Sequence, residues 1–171
     1  MSDKIIKVAL LDMYNGERNQ GMRCIIDVVN RFSPVVSFEI FDVRLKCELP
    51  DISKFDIYIS TGGPGNPLIG DGNWDTKYYE FIDALSKWNT ENSVKKHVLF
   101  ICLSFQMSCL HFGLATVTKR NDTSFGVMTI HKTKDGATDS LFEGLADPFY
   151  GIDSRDYQVV QPKLSVFAHK G

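Results

Sequence analysis

Two short stretches of this 171-residue sequence place reactive or substrate-facing groups where a fold would expose them. The first is Thr61-Gly62-Gly63-Pro64-Gly65, directly after the apolar run Asp56 to Ser60. The second is Cys102, which closes the apolar run Lys96 to Cys102 (KHVLFIC) and precedes a helical stretch. In open parallel sheets, ligands bind beyond the carboxyl ends of the strands. A cysteine at a sharp strand-to-helix turn is a nucleophile elbow, which exposes the thiol and aims the next backbone N–H groups at a developing oxyanion. The positive end of the following helix also favours the thiolate. Taken singly, a GGPG loop is more often a turn, and a cysteine ending a buried strand is more often core. Together, at the ends of two strands of one sheet, they point to nucleophilic chemistry.

The elements that must position these groups follow in regular order. Ile5 to Leu11 (IIKVALL) is a continuous aliphatic run ending at Asp12, as expected for a parallel strand buried on both faces. Gln20 to Arg31 has apolar residues at helical spacing (Met22, Ile25, Ile26, Val29, with Phe32 just beyond). Val35 to Val43 reads as a second strand, Asp56 to Ser60 as a third and Lys96 to Cys102 as a fourth. Thr76 to Trp88 and Leu103 to Phe112 read as the helices between and after them. This alternation predicts an α/β fold, a doubly wound, mostly parallel sheet with helices on both faces in a flavodoxin-like three-layer arrangement. Ala115 to Lys119 and Val127 to Lys132 read as short strands, and 133–158 mixes Gly, Asp, Ser and Pro with little periodicity. The C-terminal part is therefore expected to be irregular and incomplete. With no repeat and no linker, residues 1–171 are expected to form a single domain.

Composition narrows the function classes. Hydrophobic residues make up 43% and charged residues 23% of the chain, with a formal net charge of −2. That balance offers no electrostatic basis for nucleic acid or an anionic membrane as partner. No apolar run approaches the ~18 residues of a membrane span, and the start of the chain lacks a secretory h-region. Cys24, Cys47, Cys102 and Cys109 contain no CxxC pair, which favours free thiols in a reducing compartment over a disulfide framework or a zinc site. A soluble cytoplasmic protein without metal or organic cofactor is expected.

The loop and elbow together resemble a known family. Ser60-Thr61-Gly62-Gly63-Pro64-Gly65-Asn66-Pro67 resembles the S-G-G-P-G-x-P loop of class I glutamine amidotransferases, and Phe100-Ile101-Cys102-Leu103-Ser104-Phe105-Gln106 resembles their G-I-C-x-G-x-Q elbow. Leu110 to Ala115, Phe125-Gly126-Val127 and Phe142-x-Gly144-Leu145 fall where that family continues. The resemblance is to the glutaminase domain of the GMP-synthase-like or stand-alone members. It implies that Cys102 attacks the side-chain amide of glutamine, forming a γ-glutamyl thioester and releasing ammonia for a partner synthetase chain. It implies an oxyanion hole from the backbone N–H groups of Gly63 and Leu103, and substrate contacts from Gly65 and Gln106. The substrate would be L-glutamine or a γ-glutamyl compound.

The sequence departs from the family pattern in five places. Phe100 and Ser104 replace the glycines flanking the elbow, and Phe105 stands where many members carry His. In Phe149 to Val160, Arg155 occupies the position of a family His, where it would contact substrate or Asp156. The family's catalytic His and Glu belong to a C-terminal F-H-P-E motif that does not occur here, and His97, His111, His131 and His169 are not expected to substitute for it. The chain is accordingly expected to be a fragment, or a short form with an incomplete triad. Two other readings remain. One is a non-catalytic or γ-glutamyl-cleaving relative. The other is a cysteine hydrolase or redox sensor of the DJ-1 type, in which Asp12 or Glu17 would serve Cys102.

Overall fold

The alternation of side chains along β1 (Ile6–Asp12) assigns the layers of the first of two compact units. Val8 and Leu10 point to one face, where they bury with Met22 and Val29 of α1 (Gln20–Asn30). Ala9, Leu11 and Met13 point to the other, where they meet Tyr78, Phe81, Ile82 and Leu85 of α2 (Trp74–Glu91) and Leu103 and Met107 of α3 (Leu103–His111). A strand apolar on both faces thus carries helices on both faces, the physical reason for an uninterrupted IIKVALL run. In this computed structural model, which describes residues 5–166, β1 pairs in parallel with β2 (Val36–Asp42) and β3 (Ile57–Ser60), and β3 with β4 (His97–Phe100), in the order β2-β1-β3-β4. This is the expected parallel, flavodoxin-like α/β layering. Asn19 caps α1 with its side-chain oxygen 2.7 Å from the amide of Met22.

The second unit, residues 118–158, departs from the expected pattern. The segment read as two short strands is one 15-residue strand, β5 (Thr116–Ile130), and it pairs with β6 (Phe149–Val160), which lies in the stretch read as aperiodic. Arg120 to Gln158, Thr123 to Asp156 and Ser124 to Asp153 are bonded across the two strands. The falling partner numbers make the pairing antiparallel. Polar residues on both faces erased the period-2 signal that a half-buried strand shows. No described helix is long and apolar enough to cross a membrane.

Candidate active site

The carboxyl ends of β1, β3 and β4 converge on the expected loop and elbow. Cys102, with Ile101 before it, joins β4 to α3 and is exposed, with φ 52° and ψ −105°. A non-glycine residue held there is strained by about 1–3 kcal/mol, and such strain persists only where the surroundings over-determine it. Two features over-determine this turn. Ser60 O accepts from the amide of Ile101 at 2.9 Å. The fully buried Ser104 hydroxyl accepts from the same amide at 3.0 Å and lies 2.7 Å from Ser60 O and 3.1 Å from Ile101 O as a donor. Ser104 therefore ties the elbow to the end of β3, which accounts for a serine where the family pattern has glycine. Phe100, the other departure, packs its ring against the core shared with α2 and α3.

The glycine loop approaches the elbow because two of its residues lack a Cβ. A Cβ on Gly62 would lie 3.0 Å from Cys102 Cβ, and one on Gly63 would lie 2.1 Å from Met13 O. Thr61 locks this approach, its hydroxyl accepting from the amide of Met13 at 2.9 Å and donating to Gly62 O at 2.9 Å. Among the described residues, no carbonyl accepts from the amides of Gly63 or Leu103, the two expected oxyanion donors. Gly65, with φ 122°, continues the loop toward Arg44.

The remaining expected residues have varied placements. Gln106 is on the first turn of α3, buried, with its amide donating to Cys102 O at 2.9 Å. Arg155 is on β6 in the other unit, where its Nε lies 3.0 Å from Asp153 Oδ2, while Asp156 accepts from Thr123 at 2.5 Å. Its carboxylate partner is thus Asp153 rather than Asp156. Asp12 accepts from the amide of Tyr14 at 2.8 Å. Of the histidines, His97 opens β4 at the end away from Cys102. His111 ends α3, 2.8 Å from Asp83 and stacked on Tyr79 at 4.5 Å. His131 lies 3.3 Å from Asp147. His169 lies outside the described residues.

Two residues at strand ends had no sequence motif to mark them. The Tyr14 hydroxyl lies 3.6 Å, and Cys102 Sγ 3.7 Å, from the point a Gly62 Cβ would occupy. Burial, followed by the neighbouring charges of Cys102 and Asp12, pushes the Tyr14 phenol above its usual pKa, so it stays a protonated donor beside the thiol. Arg44, two residues past β2, donates from Nη1 to Met13 O at 3.1 Å and to Pro64 O at 2.5 Å, bracing the loop from the other side. Their position just beyond the carboxyl ends of strands was the available signal.

Comparison with solved structures places this architecture. A glutamine amidotransferase from Thermotoga maritima superposes with a TM-score of 0.73 at 18% identity, covering 92% of this chain and 64% of that one. The crystal structure of SMU.1228c gives a TM-score of 0.64 at 20% identity, again with 92% and 64% covered. The chain thus spans just under two thirds of the length of these relatives in structure. Neither a protein-family profile nor a curated protein sequence matches it. At such identities the likeness speaks for the fold, and the conclusion is that this chain has a glutamine-amidotransferase-like α/β fold.

Proposed function

We propose that this chain is an amidotransferase-type glutaminase, in which the Cys102 thiolate attacks the side-chain amide of L-glutamine. The carbonyl carbon gains a bond to sulfur, and the oxyanion settles on the amides of Gly63 and Leu103. Collapse to the γ-glutamyl thioester breaks the C–N bond as the proton taken from the thiol passes to the leaving nitrogen, so ammonia departs, and water then releases glutamate and restores the thiol. The observation that supports this most is the positive-φ elbow at Cys102, set against a loop that only glycine at 62 and 63 allows to come so close. The thiol needs a base, since an unperturbed cysteine is only a few per cent thiolate at neutral pH. The described histidines at 97, 111 and 131 have the placements given above, and none is assigned that role. Transfer of the ammonia to a partner synthetase belongs to the same proposal.

The test is intact mass after treatment with 6-diazo-5-oxo-norleucine, a glutamine-like electrophile. A single adduct that disappears in Cys102→Ala is the expected result. An unmodified wild-type protein under conditions that label a known glutaminase would overturn the reading and leave a non-catalytic relative. Peroxide oxidation of Cys102 to a stable sulfinate without labelling would favour the redox-sensor reading instead.

A further inference from the structure

The ribbon of β5 and β6 has two unlike faces, and its cross-strand contacts assign them. Asp153 accepts from Ser124 at 2.7 Å and lies 3.0 Å from Arg155 Nε. A Cβ on Gly151 would meet the Ile130 side chain at 2.8 Å. One face, the back, therefore carries Ser124 and Ile130 of β5 with Gly151, Asp153 and Arg155 of β6. On the other face, the front, Thr123 donates to Asp156 at 2.5 Å. Side chains alternate along a strand, so the front continues from Thr123 into Phe125 and Val127, and from Asp156 back into Ile152 and Tyr150.

The four large apolar side chains of the front are bare: Phe125 is 81%, Val127 69%, Tyr150 71% and Ile152 87% exposed. They stand two by two on neighbouring strands, about 6.6 Å apart along each strand and about 4.8 Å across. They form one patch with no charge inside it. Thr123 and Asp156 satisfy each other at its polar end, and the Asp153–Arg155 pair lies on the back. With large side chains at roughly 150–250 Å² each, the patch amounts to roughly 600 Å², the upper end of what a monomer exposes. Two strands are also fewer than the three that an isolated sheet needs for stability in water, and β5 and β6 form a sheet of two among the described residues.

An occupant must offer a flat, uncharged, apolar face of this size. A charged ligand, a nucleic acid or a lipid headgroup finds nothing in the patch to answer its charge. A second copy of this chain carries the matching face, and a twofold axis in the plane of contact sets the patch against itself. Covering both copies removes about 1,200 Å² in all, the lower end of the range for stable interfaces. The ribbons then form two layers about 10 Å apart, the spacing of packed sheets.

We propose that this face is a homodimer interface, in which the ribbons of two copies stack through Phe125, Val127, Tyr150 and Ile152. The proposal does not depend on the chemistry at Cys102.

The experiment is sedimentation velocity on the 171-residue chain from about 1 to about 200 µM. The mass is expected to rise from 19.3 kDa to twice that value, with a dissociation constant on the order of 10 µM, as for a small interface. Ile152→Glu buries a charge between the stacked faces and should weaken association about a hundredfold or more. Val127→Thr keeps the β-branched shape but buries a hydroxyl, and should weaken association about tenfold with circular dichroism unchanged. It decides the matter if the glutamate variant misfolds. Met128→Thr, on the back, should leave association unaltered. A chain that stays at 19.3 kDa throughout would overturn the proposal and leave the face to a different partner. So would a dimer that survives both front-face variants, or growth past two copies, which a closed twofold contact does not permit.

Discussion

The loop-and-elbow end of the first unit and the two-stranded second unit hold their backbones by opposite means. Around Cys102, the backbone is pressed between packed layers: a Gly63 Cβ would collide with Met13 O, Ser104 is sealed between β3 and α3, and Phe100 backs onto the core. Residues 118–158 contribute no side chain to the buried core, and several of their large apolar groups stand in solvent, Phe125 81% and Ile152 87% exposed. That unit is held by ladder bonds and cross-strand polar pairs such as Ser124 to Asp153 at 2.7 Å. Close packing transmits strain and forbids small volume changes, whereas an exposed ladder tolerates them. The difference explains why Cys102, a non-glycine residue at positive φ, can be held in the first region.

The contrast predicts a graded set of outcomes. Gly63→Ala should be the most damaging, losing about 3 kcal/mol or more of stability through overpacking against backbone. It should also abolish labelling of Cys102, read by thermal denaturation and intact mass. Ser104→Ala removes a buried hydroxyl and should cost about 1–3 kcal/mol. If its melting temperature is unchanged, the hydroxyl does not fix the elbow. Cys102→Gly should move the other way, stabilising the protein by about 1 kcal/mol as the strained φ is relieved, while abolishing diazo-ketone labelling. A destabilised glycine variant would argue against stored strain. Tyr14→Phe should leave stability within about 0.5 kcal/mol of wild type and slow diazo-ketone labelling severalfold. In protein dilute enough to be monomeric, Ile152→Thr and Phe125→Ser should each change stability by no more than about 0.5 kcal/mol. A larger loss would mean that a second surface covers them, which differential labelling of the isolated chain would reveal.

Much of the architecture was legible from local pattern. The aliphatic run Ile6–Asp12, the helical stripe of Met22 and Val29, and the turn after Ser60 each state their role within a few residues. The sharp turn at Cys102 and the close approach of Gly62-Gly63 were legible because tight strand-to-helix turns and close loops restrict residue type at short spacing. β6 was not, because a strand lined with Asp153, Ser154, Arg155 and Asp156 and polar on both faces leaves no alternation to read.

By itself, the sequence determined which segments are buried on two faces, where the chain turns sharply and which thiol stands at such a turn. Those properties follow from nearest-neighbour sterics and hydrophobic period. Only the tertiary structure decided that Tyr14, Arg44 and Asp75 join them. These three come from the ends of β1 and β2 and the start of α2, segments separated along the chain, and the parallel sheet brings them to one end. Their partners, or the lack of them for Asp75 Oδ1 and Arg44 Nε, are set by long-range packing, which no local pattern encodes.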